Sequence, residues 1–284
     1  MTTRHPIYEI LAKEIAYAIA NPRFDKPIDD FLLTNGYVLD RAFNDPITGF
    51  RACGLLPVAA DKLPVLVFRG SSRAIDDIAN NHPKGIGFHQ FVEHQDEIAA
   101  WLANIIRATH QKPDIVGHGV GGAIAQIVAS EMTAQIGEVV TFSSPGTSRA
   151  ILAQFLQNGG ANLSVTHYII DGDIISLAGE AFIAGKAILQ SFADCAIKPL
   201  HNLDRHQKIG RLLSNPPIGL TQTEISVKAL SHPAFTFFNA DYLEFLAAYY
   251  AINPEVAWWL TSRGKFEALR RSGFSLPNIS AQAN

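Results

Sequence analysis

Cysteine is scarce in this chain: two residues, Cys53 and Cys195, in a length of 284. A disulfide framework needs more, and the two do not stand at a metal-ligand spacing. Both are expected as small buried hydrophobes. Net charge is nearly absent too, −3 with histidine neutral, so no global basic field points to nucleic acid. The pair Arg270-Arg271 reads as solvated helix surface. No apolar run reaches the roughly 18 residues that a membrane-spanning helix needs. The opening stretch, MTTRHPIYEILAKEIAYAIA, carries Glu9, Lys13 and Glu14 through its apolar part. A secretory signal needs an uninterrupted apolar region there, so a cytoplasmic protein is the expectation.

What the chain does have is core-forming material. Apolar residues make up 48% and charged residues 17%, a composition that folds rather than one that stays disordered. No internal repeat or low-complexity linker interrupts it. Ile7, Ile10, Leu11, Ile15 and Ile19 fall near a 3.6-residue period and predict an amphipathic helix over 6–20. Residues 21–47 read as loop-rich with one short helix. Strands are expected at 49–58, 64–70, 113–116, 138–144 and 164–170. Helices are expected at 88–110, 120–134, 147–157 and, from its strong apolarity, 177–193. Alternating buried strands and helices indicate a mostly parallel sheet with helices on both faces. Strand signals fade after about residue 203, and the aromatic remainder (FTFF at 235–238, Trp258-Trp259) predicts a helical C-terminal addition. The expected layout is one domain over 1–284, with a core at about 49–215 and an appendage at about 216–284.

The informative stretch is PDIVGHGVGGAIAQIVA, residues 113–129. A short strand runs through Gly117-His118-Gly119-Val120-Gly121-Gly122 into a helix, which is the geometry of a G-x-S-x-G nucleophile elbow. The central position is Gly119, where the elbow carries serine. A glycine-rich strand-to-helix turn also suits phosphate binding at a helix N-terminus. However, GHGVGG lacks the Lys-Ser/Thr of a P-loop, and a lone partial G-x-G-x-x-G match is weak.

The flanking segments add weight. PVLVFRGSS (64–72), GIGFHQF (85–91), DIVGHGVGGAIAQ (114–126), VVTFSSPG (139–146), HYIIDGDIISLAG (167–179) and HNLDRH (201–206) stand in one order along the chain. In that order they resemble the class 3, fungal-lipase-like, lipases of the α/β-hydrolase superfamily, over about half of the chain. The resemblance implies ester hydrolysis through an acyl-enzyme, with nucleophile, acid and base in that chain order. Gly119 falls on the nucleophile, Asp173 on the acid with Asp171 as the alternative, and His201 on the base with His206 as the alternative. The oxyanion donors fall on the Val120 amide and on Ser71. Residues 72–88 sit where the family keeps a lid. Leu177, Phe182, Ile183, Ile188, Leu189 and Phe192 are either an acyl-pocket lining or an ordinary buried helix. His118 resembles the family's elbow histidine, which packs and hydrogen-bonds structurally. His5, His82, His89, His94, His110 and His232 read as surface or turn residues.

The chain as written lacks the group that forms the acyl-enzyme. Removing a triad nucleophile costs roughly 10⁶ in turnover and leaves about 10³–10⁴ over water. Ser143 and Ser144 end the next strand, and nothing in the sequence puts either on the elbow. Three readings follow: a hydrolase whose serine was replaced in this copy, a pseudoenzyme binding an acyl ligand or a protein partner, and an interaction module using the aromatic C-terminal stretch. The expected ligand is a small-molecule ester or lipid, with peripheral membrane contact and no nucleic acid. No metal or organic cofactor is implied.

Overall fold

The computed structural model describes residues 5–19, 25–70, 82, 84–170, 176, 179–192 and 220–227. The N-terminal segment is α1 (His5–Ile10), a π-helical turn (Leu11–Ile15) and α2 (Ala16–Ile19), followed by α3 (Asp25–Thr34). Among the described residues, eight strands form one sheet in the order β1 to β8: β1 (Tyr37–Asn44), β2 (Arg51–Pro57), β3 (Val65–Phe68), β4 (Asp114–His118), β5 (Glu138–Phe142), β6 (Ser164–Ile170), β7 (Lys186–Phe192) and β8 (Leu220–Ile225). Strands β3 to β7 run parallel, while β1, β2 and β8 add antiparallel margins. The helices between parallel strands are α4 (Phe88–Thr109), α5 (Val120–Glu131) and α6 (Arg149–Gln157). Ser148 caps α6, its hydroxyl accepting the Ile151 amide.

Each parallel crossover steps the same way across the sheet. Right-handed crossovers then put α4, α5 and α6 on one face. The side chains divide accordingly. Leu66, Phe68, Ile115, Val139, Val165 and Ile169 pack with α4–α6 in the larger core. Their strand neighbours Val65, Val67, Val116, Val140 and Phe142 pack with Tyr8, Leu11, Ile15, Ile28 and Leu32 of the N-terminal helices. The period-2 alternation of a strand buried on both faces produces this split.

Three expectations are corrected. The stretch read as a helix over 177–193 ends in a strand, β7, which continues the parallel sheet. Phe182, Ile183 and Leu189 join the larger core. A short apolar run looks alike as a buried strand or a buried helix. Strand β1 lies inside the stretch read as loop-rich. Its burial alternates poorly because it is an outer strand, with a register shift between Leu39 and Arg41. Strand β8 lies inside the stretch expected as a helical addition and pairs antiparallel with β7. Of the stretch expected as the appendage, residues 216–219 and 228–284, with Trp258 and Trp259, lie outside the described residues. Cys53 is buried as expected, its thiol pushed up to about 12 by desolvation; Cys195 is outside the described residues.

Candidate active site

In an open parallel sheet, ligands gather at the carboxyl ends of the strands. Here β3 leads into Arg69-Gly70, β4 into Gly119 and β5 into Ser143. The β4–β5 ladder ends at the pair His118–Phe142, so Gly119 and Ser143 stand side by side just beyond it. Both have left-handed backbone: Gly119 has φ 56 and ψ −130, and Ser143 has φ 45. A residue with a Cβ is strained there at a cost of order 1–3 kcal/mol, and glycine is not.

The turn at Gly119 is tightly built. The Gly119 amide donates to the Phe142 carbonyl at 3.0 Å, and the Gly122 amide donates to the Gly119 carbonyl at 2.9 Å. A Cβ on Gly117 would meet the Gly121 carbonyl, and one on Gly121 would meet the Phe68 carbonyl. Strand and helix therefore approach at backbone contact, which fixes the start of α5 against β3. Val120 is the first residue of α5 and is buried. Its amide has no acceptor one turn back within the helix.

On the helix-covered side, Gln126 binds this turn to its neighbours. Its amide nitrogen donates to Ser144 Oγ at 3.0 Å and to the Pro145 carbonyl at 2.9 Å, while its oxygen accepts the Ile183 amide at 3.1 Å. Ser144 Oγ in turn donates to the Pro145 carbonyl at 2.6 Å, so it is a structural hydroxyl. His167 lies beneath, fully buried. Its Nε2 donates to the Ile183 carbonyl at 3.1 Å, and Thr141 Oγ1 donates to its Nδ1 at 2.7 Å. Burial holds the ring neutral, with its pKa lowered to about 4. The sequence reading missed His167 as a core residue. The signal was its phase: it alternates with Val165 and Ile169 on one face of β6.

On the other side, His118 is buried, and its Nδ1 shares a 2.9 Å hydrogen bond with the hydroxyl of Tyr17 from α2. This matches the structural role expected for it. His5 and His94 depart from the surface-or-turn expectation. His5 binds Tyr168 Oη at 2.6 Å and Glu138 Oε1 at 3.2 Å, and His94 stacks on Phe50 at 4.2 Å between ring centres. His89 and His110 are exposed as expected, His110 in a left-handed turn. Ser71, Asp173 and His201, with the alternatives Asp171 and His206, lie outside the described residues, as does His232. Among the described residues, no group of His, Cys, Asp or Glu is arranged to hold a metal ion. No described helix is long and apolar enough to cross a membrane.

A mostly parallel eight-stranded sheet flanked by helices defines the class: a class 3 lipase-like α/β-hydrolase fold. Solved structures with this fold include lipase II from Rhizopus niveus (TM-score 0.52, 15% identity, 65% of this chain and 78% of that one). A deletion mutant of the Rhizomucor miehei lipase in its propeptide complex is similar (TM-score 0.52, 17% identity, 67% and 68%). So is the lipase from Rhizopus microsporus var. chinensis (TM-score 0.50, 16% identity, 66% and 75%). No curated protein matches the chain. Residues 28–211 match the phospholipase-like Tle-like phospholipase domain, and the chain belongs to that family.

Proposed function

We propose that the chain is a lipase-like carboxylic ester hydrolase by design of its fold, acting on lipid esters at a membrane surface from the cytoplasmic side, and that Gly119 leaves it nearly or wholly inactive as written. The observation that carries this reading is the backbone of Gly119, φ 56 and ψ −130, at the junction of β4 and α5. That is the strained strand-to-helix position from which a nucleophile elbow presents its side chain. The family's phospholipase description supports a phospholipid as the ester.

With serine at 119, its oxygen would attack the ester carbonyl while His201 takes the proton and Asp173 orients His201. The Val120 amide and Ser71 would hold the oxyanion. Protonated His201 then returns the proton to the leaving alcohol, and water repeats the sequence to free the acid. Gly119 has no oxygen to attack with, so binding remains and covalent chemistry is lost. That same observation favours a second reading, a pseudoenzyme that retains an acyl or protein ligand.

The deciding assay compares the chain with Gly119→Ser on short- and long-chain p-nitrophenyl esters and on phospholipid vesicles. Turnover is expected to rise by several orders of magnitude, about the cost of losing a triad nucleophile, while stability falls by about 1–3 kcal/mol from the strained φ. In that background His201→Ala is expected to abolish the gain, and His206→Ala to spare it. A folded Gly119→Ser variant that stays inactive on every ester removes the catalytic assignment and leaves the binding reading.

A further inference from the structure

The family match begins at residue 28, yet a residue well before it reaches the strand ends. Tyr17 sits in α2, half-buried, with its hydroxyl 2.9 Å from His118 Nδ1. The two rings meet edge to face, 5.8 Å between centroids. The Arg69 guanidinium carbon lies 5.4 Å from the centre of the Tyr17 ring, within cation–π range. Gly70 makes room for this contact. A Cβ there would stand 2.5 Å from the Tyr17 hydroxyl and 2.7 Å from the His118 carbonyl.

One phenol therefore touches both strand ends at once. His118 immediately precedes Gly119, and Gly70 immediately precedes Ser71. We infer that Tyr17 is a positioning residue: it sets the end of β3 against the turn at Gly119. As far as catalysis is concerned, this rests on the hydrolase reading above, in which the Val120 amide and Ser71 face one oxyanion. A donor pair works only when both members lie within hydrogen-bond reach of the same oxygen. Losing the phenol's hydrogen bond therefore lowers turnover and leaves ground-state binding in place.

Tyr17→Phe tests this, because it keeps the ring over Arg69 and against His118 and removes only the hydroxyl. In the Gly119→Ser background, kcat is expected to fall about tenfold, the fold-change equivalent of one net hydrogen bond. KM and the melting temperature are expected to stay near their values. In the chain as it stands, hydrogen exchange of the 117–122 amides is expected to speed up about tenfold on the same change. Unchanged kcat together with unchanged exchange overturns the inference, as does a lowered melting temperature with kcat intact, which would make Tyr17 a packing residue only. If Gly119→Ser proves inactive on every ester, the hydrolase reading has failed by itself. The exchange measurement then decides alone: faster exchange upholds Tyr17 as the residue that fixes the turn, and unchanged exchange overturns it.

Discussion

The two faces of the sheet are covered by different kinds of helix. On the α4–α6 face the cover is three regular helices, and the buried polar groups at its centre are matched. Gln126, Ser144, Thr141 and His167 all find acceptors or donors among strand ends and the 181–183 segment. On the opposite face the cover is one irregular N-terminal segment. It is matched in places, as where Tyr8 Oη donates to Asp114 Oδ2 at 2.5 Å and where Lys13 reaches Glu9 at 2.5 Å. It also buries Glu14, neither of whose carboxyl oxygens has a hydrogen-bond partner among the described residues. A π-turn breaks the usual helical facing at that point and buries Leu11 through Ile15 in succession, which is how a charged residue comes to lie inward. The first face is built for stability; the second gives up some stability and touches the site through Tyr17. Irregular helical turns of this kind are frequent at functional sites.

The sharpest way to break that contrast is on the first face. Trp101 is buried in the larger core, and its Nε1 donates to Asp40 Oδ2 at 2.7 Å. Trp101→Ala is expected to cost about 3–5 kcal/mol in urea unfolding. A cost below about 1 kcal/mol would mean that this face does not carry the fold.

A smaller effect of opposite sign is expected from Glu14. Desolvation raises its pKa from 4.5 to about 7, helped by Glu9 and opposed by Lys13. In the unfolded chain the carboxyl ionises near its ordinary value, so between the two values the folded state binds more protons. Stability is therefore full below pH about 4.5 and is lost as pH rises through about 7, by on the order of 1–3 kcal/mol. Glu14→Gln is expected to remove that slope, melting higher than the parent at pH about 8 and close to it at pH about 4. Melting curves with equal pH slopes for the two proteins would contradict the burial of Glu14.

The smallest effect is at Ser143. Its φ of 45 strains a residue with a Cβ. Ser143→Gly is expected to raise stability by about 1 kcal/mol. A loss of stability would show that the serine side chain makes a contact worth more than the strain.

How much of this was legible in the sequence follows from the same contrast. VLVF of β3 and EVVTF of β5 stood out because strands buried on both faces are apolar throughout. The outer strands hid for the opposite reason: YVLDRAFN carries Asp40 and Arg41 into solvent, and LTQTEI is mostly polar. Strand β7 was visible as buried but not as a strand, since apolarity without alternation carries no period. At the site, Gly119 and Val120 could be placed because strand, turn and helix are contiguous there. Tyr17 could not: it is 101 positions from the histidine it binds, and in the sequence it is one more residue of an amphipathic helix.

The register shift in β1 bears on how the molecule behaves in a crowd. A sheet margin offers backbone donors and acceptors that a second copy can extend. Here the margin is kinked between Leu39 and Arg41, and Arg41 pairs across to Glu97 at 3.3 Å. An incoming strand meets a bent ladder with charge at its middle, which disfavours edge-to-edge stacking. The irregularity that made β1 hard to read in the sequence thus also makes it a poor template for a further strand.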